Sequence, residues 1–181
     1  MATTVKGSSE TATGPGWPAD LYALLRRYGI SQFGYVPDAG HKVLIELAVK
    51  DPDVRAIPLT TEEEGVGLMA GADLGGARAV LLLQSSGVGN CINFLSLVKG
   101  ARFPMLMLVS MRGDFGEGNP WQYPMGQAVE PVLHAMGVTT LRVDRAEDVL
   151  PSAEAAATMV YQGGQAVALL LTQRLIGAKR F

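Results

Sequence analysis

The sequence holds a single cysteine, Cys91, among 181 residues. One thiol excludes an internal disulfide and leaves no cysteine cluster for zinc, and it fits a reducing compartment such as the cytoplasm. Charge is scarce too: Asp, Glu, Lys and Arg make up 18% of the chain, and the formal net charge is −2. No basic stripe appears, which argues against nucleic acid as a partner, because phosphate binding needs clustered Lys and Arg. Long apolar runs are also missing. The strongest, residues 79–83 and 104–109, are far too short to cross a bilayer, so no membrane partner is expected and a soluble protein is.

The length suits one domain, and 48% hydrophobic residues can fill a sizeable core. Residues 1–16 are rich in Thr, Ser, Gly and Ala without the apolar run of a signal peptide, and read as a loose leader. Residues 17–181 then form the domain. Helical spacing is predicted over 17–28, 39–49, 62–76, 88–99, 128–136 and 146–161, and strands over 33–36, 54–58, 79–83, 105–109, 139–143 and 166–171. This alternation implies an α/β fold, a parallel sheet with helices on both faces. The one long irregular stretch, residues 112–127, is expected to be functional or disordered.

In such a sheet ligands sit beyond the carboxyl ends of the strands. Four segments fall there: Pro37-Asp38-Ala39-Gly40-His41, Thr60-Thr61-Glu62-Glu63-Glu64-Gly65, Gln84 to Asn90, and Ser110-Met111-Arg112-Gly113. The acidic triplet at a helix start has a plain reading, interaction with the positive end of the helix dipole. Gly65, Gly67 and Gly71 after it favour a second reading, in which one glutamate is buried beside a closely approaching backbone or ligand. Ser86-Gly87-Val88-Gly89-Asn90 resembles a phosphate-cradling turn but lacks the Lys-Ser/Thr ending and the full glycine spacing. His41 stands at a strand end and could face a site, whereas His134 lies within an amphipathic helix and Cys91 reads as a small packed residue. Arg112 has the fork geometry to hold an anionic group, with a surface arginine as the alternative.

Glu62-Glu63-Glu64-Gly65-Val66-Gly67 with Ala70-Gly71, then Gln84-Ser85-Ser86-Gly87-Val88-Gly89-Asn90-Cys91-Ile92-Asn93, resemble the pyrimidine-binding domain of thiamine diphosphate enzymes. Within that group the likeness is strongest to the alpha subunit of sulfopyruvate decarboxylase and the matching half of phosphonopyruvate decarboxylase. Val36-Pro37-Asp38, Met111-Arg112-Gly113 and Gln122 to Gly126 agree in order and spacing. The resemblance covers roughly residues 17–171 and implies a six-stranded parallel sheet. It also implies a glutamate that hydrogen-bonds the cofactor's pyrimidine ring and favours the imino form that takes the thiazolium C2 proton. The family spacing puts that residue at Glu62, with Glu63 as the fallback. Pro37, Ser86, Gly87 and Asn90 would line the cofactor, Arg112 and Gln122 would contact the substrate, and His41 is a candidate proton donor, with a beta-subunit residue as the alternative.

The family's Gly-Asp-Gly motif for diphosphate and magnesium is missing; Arg112-Gly113-Asp114-Phe115 comes nearest. The resemblance therefore implies no metal ligands in this chain and a beta subunit that holds Mg2+, in an α2β2 assembly or a multiple of it. Ala39 stands where the phosphonopyruvate relatives carry serine, and the paired histidine of the wider family is absent. The expected activity is decarboxylation of a short 2-oxoacid to an aldehyde. The alternatives are carboligation to a 2-hydroxyketone and a non-catalytic scaffold or regulatory subunit.

Overall fold

The computed structural model describes residues 16–178. The expected leader lies outside them apart from Gly16. Six strands form one wholly parallel sheet: β1 (Ile30–Tyr35), β2 (Arg55–Pro58), β3 (Arg78–Gln84), β4 (Met105–Ser110), β5 (Thr139–Val143) and β6 (Ala166–Leu171), in the order β2-β1-β3-β4-β6-β5. The inner strands β3, β4 and β6 are almost unbroken apolar runs because helices cover both of their faces. The edge strands β2 and β5 are more polar and only partly buried.

The period of two along each strand divides the core. Val80, Leu82, Leu106, Leu108, Val167 and Leu169 turn to the face covered by α1 (Trp17–Arg27), α2 (Lys42–Lys50) and α7 (Ala146–Tyr161). Leu81, Leu83, Met107, Val109, Ala168 and Leu170 turn to the face covered by α3 (Glu62–Leu74), α4 (Ser85–Cys91), α5 (Leu95–Ala101) and α6 (Tyr123–Ala135). Gly65 lets α3 lie close on β3, since a Cβ there would overlap the Leu81 side chain. Gly67 and Gly71 meet nothing comparable among the described residues.

Two expectations are corrected. The helix predicted over 88–99 is two helices: α4 starts at Ser85, directly after β3, and a turn at residues 92–94 separates it from α5. The irregular stretch is shorter than residues 112–127, because a single 3-10 turn, Pro120–Gln122, leads into α6 at Tyr123. Asn119 caps that turn by accepting from the Trp121 N–H, and Pro120 and Pro124 both stand in first turns, where their missing N–H costs nothing. A short α8 (Gln173–Ile176) closes the described residues.

Candidate functional site

The strand order reverses between β1 and β3, so the carboxyl ends of these strands flank the crevice where ligands of parallel sheets bind. Glu62 opens α3 beside this crevice and is 9% exposed. Its Oε2 accepts a hydrogen bond from Asn90 Nδ2 at 2.7 Å. Its carboxyl carbon packs on the bare backbone of Gly87, where any Cβ would overlap it. Gly87 and Asn90 lie three apart on α4, on the face that meets α3. Glu62 Oε1 also packs on Gly87, and Asn90 is the only hydrogen-bond partner of this carboxylate among the described residues.

The other two glutamates have different surroundings. Glu64 turns back to accept from the Thr60 N–H at 2.8 Å, ordering the entry to the helix. Glu63 is half-buried, and its Oε2 has no partner among the described residues. Only Glu62 meets Gly87 and Asn90.

A second cluster surrounds Asp38, which the sequence placed in a turn without a role of its own. Its Oδ1 accepts from Gln84 Nε2 at 3.0 Å, and its Oδ2 accepts from Ser110 Oγ at 2.6 Å and the Gly40 N–H at 2.8 Å. One carboxylate thus ties together the ends of β1, β3 and β4. Burial pushes the Asp38 carboxyl up, but the bonds from Ser110 and Gln84, nearby His41 and the Gly40 N–H together hold it below its ordinary range. The available signal was an Asp two residues before Gly at a strand end, the spacing of an Asx turn.

His41 lies fully buried beneath this cluster. Its Nε2 is 3.1 Å from the Leu83 carbonyl oxygen, and its Nδ1 has no partner among the described residues. Burial lowers its pKa, and the attraction of Asp38 offsets only part of that. Pro37 is exposed and borders a shallow groove of about 410 Å³ with Asp38, Lys42 and Ile45. Ser86 is exposed, with Oγ donating to Gln84 Oε1 at 2.9 Å. The first turn of α4 links the two clusters: Gln84 binds Asp38, Ser85 Oγ accepts the Arg112 N–H at 3.0 Å, and Gly87 supports Glu62.

Arg112 is already paired. Its Nε and Nη2 bind the two oxygens of Glu117 at 2.5 and 2.8 Å, and the Glu117 side chain is wholly buried. Glu117 also accepts from Gln173 Nε2 at 2.9 Å and the Asn119 N–H at 3.0 Å. Gln173 Oε1 in turn accepts from the Asp114 and Phe115 N–H groups, each at 3.1 Å. The loop is therefore fastened to the end of β6. The Arg112 bonds, which outweigh burial, with help from Asn119 and Gln173, hold the Glu117 carboxyl down to about 2. Sequence reasoning missed Glu117 and Gln173, because their partnership spans 56 residues. Arg112 and Asp38 line a cavity of about 120 Å³ with Gly40, Ser110 and Ile176. Gln122 stands apart from that cavity, its backbone carbonyl packed against Gly113. Among the described residues no group of three His, Cys, Asp or Glu could hold a metal ion, and no helix is long and apolar enough to cross a membrane.

No protein-family model matches the chain. It is 36% identical over 151 residues to sulfopyruvate decarboxylase subunit alpha of Methanocaldococcus jannaschii, an alignment spanning 83% of this chain and 89% of the relative. The same subunit of Methanococcus maripaludis is 40% identical over 119 residues, 65% of this chain and 71% of the relative. A phosphonopyruvate decarboxylase of Streptomyces viridochromogenes is 34% identical over 140 residues, 76% of this chain but only 35% of that longer protein. Among solved structures, 2-oxoglutarate:ferredoxin oxidoreductase from Magnetococcus marinus shares the fold, with a TM-score of 0.72 at 13% identity; the match covers 90% of this chain and 29% of that one.

Proposed function

Because this chain belongs to the sulfopyruvate decarboxylase alpha-subunit family, we propose that it is the pyrimidine-binding half of a thiamine diphosphate-dependent 2-oxoacid decarboxylase and works with a second subunit. The observation that carries this reading is the Glu62 carboxylate, which lies against the bare backbone of Gly87 with Oε2 bonded to Asn90 and Oε1 free of hydrogen bonds among the described residues. A flat heteroaromatic ring with a protonatable nitrogen fits such a group. Bound there, the cofactor supplies the nucleophilic carbon and the electron sink for loss of carbon dioxide.

In this reading Glu62 exchanges a proton with the ring nitrogen through Oε1. Gly87 and Ser86 give the ring a surface without bulky side chains, and Pro37 borders the same strand-end rim. Arg112 and Gln122 remain the residues proposed to meet the substrate. His41 is proposed to keep the strand ends in position, because it is sealed from the crevice and its Nε2 is committed to the Leu83 carbonyl. Mg2+ and the diphosphate are assigned to the partner. Two facts support a partner: the relatives are named as alpha subunits, and the matching phosphonopyruvate decarboxylase is a much longer chain.

The test is calorimetric titration of thiamine diphosphate with magnesium into this chain alone and into the chain co-expressed with its partner. A carbon dioxide assay with sulfopyruvate, phosphonopyruvate and pyruvate follows. Binding and turnover only in the complex, both lost in Glu62→Gln, are the expected outcome. Full turnover in Glu62→Gln would refute the reading.

A further inference from the structure

Asn90 was grouped above with the residues that line the cofactor, but its geometry points to a different task. It is an exposed residue whose amide nitrogen turns from water onto Glu62 Oε2, 2.7 Å away. Glu62 has three rotatable side-chain bonds, so a carboxylate at a helix start would otherwise be free to rotate. Two independent contacts stop it. The bare Gly87 backbone receives the carboxyl group on one side, and the Asn90 amide holds one of its oxygens. An amide N–H can only donate, so the oxygen it holds must stay an acceptor. The proton is therefore favoured on Oε1, because a hydroxyl oxygen would be the poorer acceptor for the Asn90 N–H.

We propose that Asn90 is a positioning residue for Glu62: it fixes which carboxylate oxygen exchanges a proton with the cofactor ring, and it is not itself a cofactor ligand. This rests on the reading of Glu62 given above. Asparagine and aspartate have nearly the same size, so the role can be told apart from simple space filling. Aspartate cannot donate at this position and sets a second carboxylate against the first, so Asn90→Asp should do more harm than Asn90→Ala. A space-filling role predicts the reverse.

Two measurements test the proposal. The first is urea unfolding of the full chain alone, as wild type, Glu62→Ala, Asn90→Ala and the double variant. The expected result is a double variant no less stable than the worse single one, whereas fully additive losses would overturn the contact. The second is hydrogen–deuterium exchange at the cofactor's C2 carbon, followed by NMR in the complex with the partner subunit, alongside calorimetric affinity for thiamine diphosphate. Asn90→Ala should slow exchange roughly tenfold or more, as expected for a lost hydrogen bond to a charged group. Asn90→Asp should slow it further, while affinity in Asn90→Ala stays close to wild type, because Asn90 makes no contact with the cofactor in this reading. An Asn90→Asp complex that exchanges like wild type overturns the proposal, as does an Asn90→Ala complex that loses affinity but keeps the exchange rate. A wild-type complex that takes up no thiamine diphosphate would instead refute the functional reading, and with it the task assigned to Asn90, while the unfolding cycle still decides whether the two side chains are coupled.

Discussion

Replacing Glu117 with glutamine keeps the shape of the side chain and removes its charge. In the native loop both carboxylate oxygens receive N–H bonds from Arg112, and Gln173 and Asn119 supply two more. The variant amide can accept through one oxygen only, and its own NH2 must face donors that the lost oxygen accepted from. Arg112 is left with its guanidinium inside the protein and without its bonded carboxylate, Asp38 being the negative charge that remains nearby. Breaking a buried pair in this way costs about 3–5 kcal/mol, and the lower end applies because 12% of the Arg112 side chain still reaches water. A loss of about 3 kcal/mol at neutral pH is the expectation, read by urea unfolding.

The same pair predicts how that loss depends on pH. Glu117 is held at about 2 in the fold against an ordinary 4.5. Below 4.5 the unfolded chain binds a proton that the fold refuses, so the stabilisation is complete above that value and disappears as pH falls towards 2. The gap between wild type and Glu117→Gln should therefore be full at pH 7, narrow through this window and nearly close at its lower end. Other carboxylates titrate in both proteins and cancel in the difference. A gap under about 1 kcal/mol at pH 7 would refute the claim that the pair is withdrawn from water, and so would a gap that stays constant across the window.

Gly126→Ala should cost about 1–3 kcal/mol in the same assay, since its Cβ would overlap the Arg112 carbonyl oxygen and crowd the Gly113 backbone; a neutral result would refute that close approach. His41 is kept neutral by burial, with its pKa below 6.5, so the unfolded chain binds the extra proton as pH falls below that value. Its contribution should be complete above 6.5 and decline below, and His41→Gln should flatten this part of the stability profile; an unchanged slope counts against it. For Cys91, burial first and then Glu62 and Glu63 push the thiol up to about 12. A disulfide reagent at pH 8 should label the native chain roughly a thousandfold more slowly than the urea-unfolded chain, and equal rates would show that the thiol is accessible.

The parts of the fold legible in the sequence are those decided by local pattern. β3, β4 and β6 read as buried strands because apolar residues fill both of their faces. The division between α4 and α5 did not, because the apolar spacing continues through Ile92 and Phe94 into Leu95. The start of α6 was signalled by Asn119-Pro120 and by Pro124, and the signal went unread. The ends of four strands were visible as a group of segments, since turn chemistry there is local. Which side chains would meet was not visible: Asp38 joins Ser110 across 72 residues, and Glu117 joins Gln173 across 56. Nor does helical spacing reveal that Gly87 must lack a side chain to receive Glu62.

Arg112 raises a last question about the substrate. Of its five N–H donors two are held by Glu117, so three remain for a ligand in the adjoining cavity. The pair carries no net charge, and the ionised Asp38 carboxylate lines the same cavity. Within the proposed function, a sulfonate or phosphonate tail would therefore find directional hydrogen bonds in this cavity but little net attraction. Glu117→Gln tests this within the proposed function. By freeing the Arg112 charge it should lower the KM for sulfopyruvate relative to pyruvate, even as it weakens the fold. If the KM for both substrates rises in parallel, the pair serves only to hold the loop, and Arg112 is not within reach of the tail.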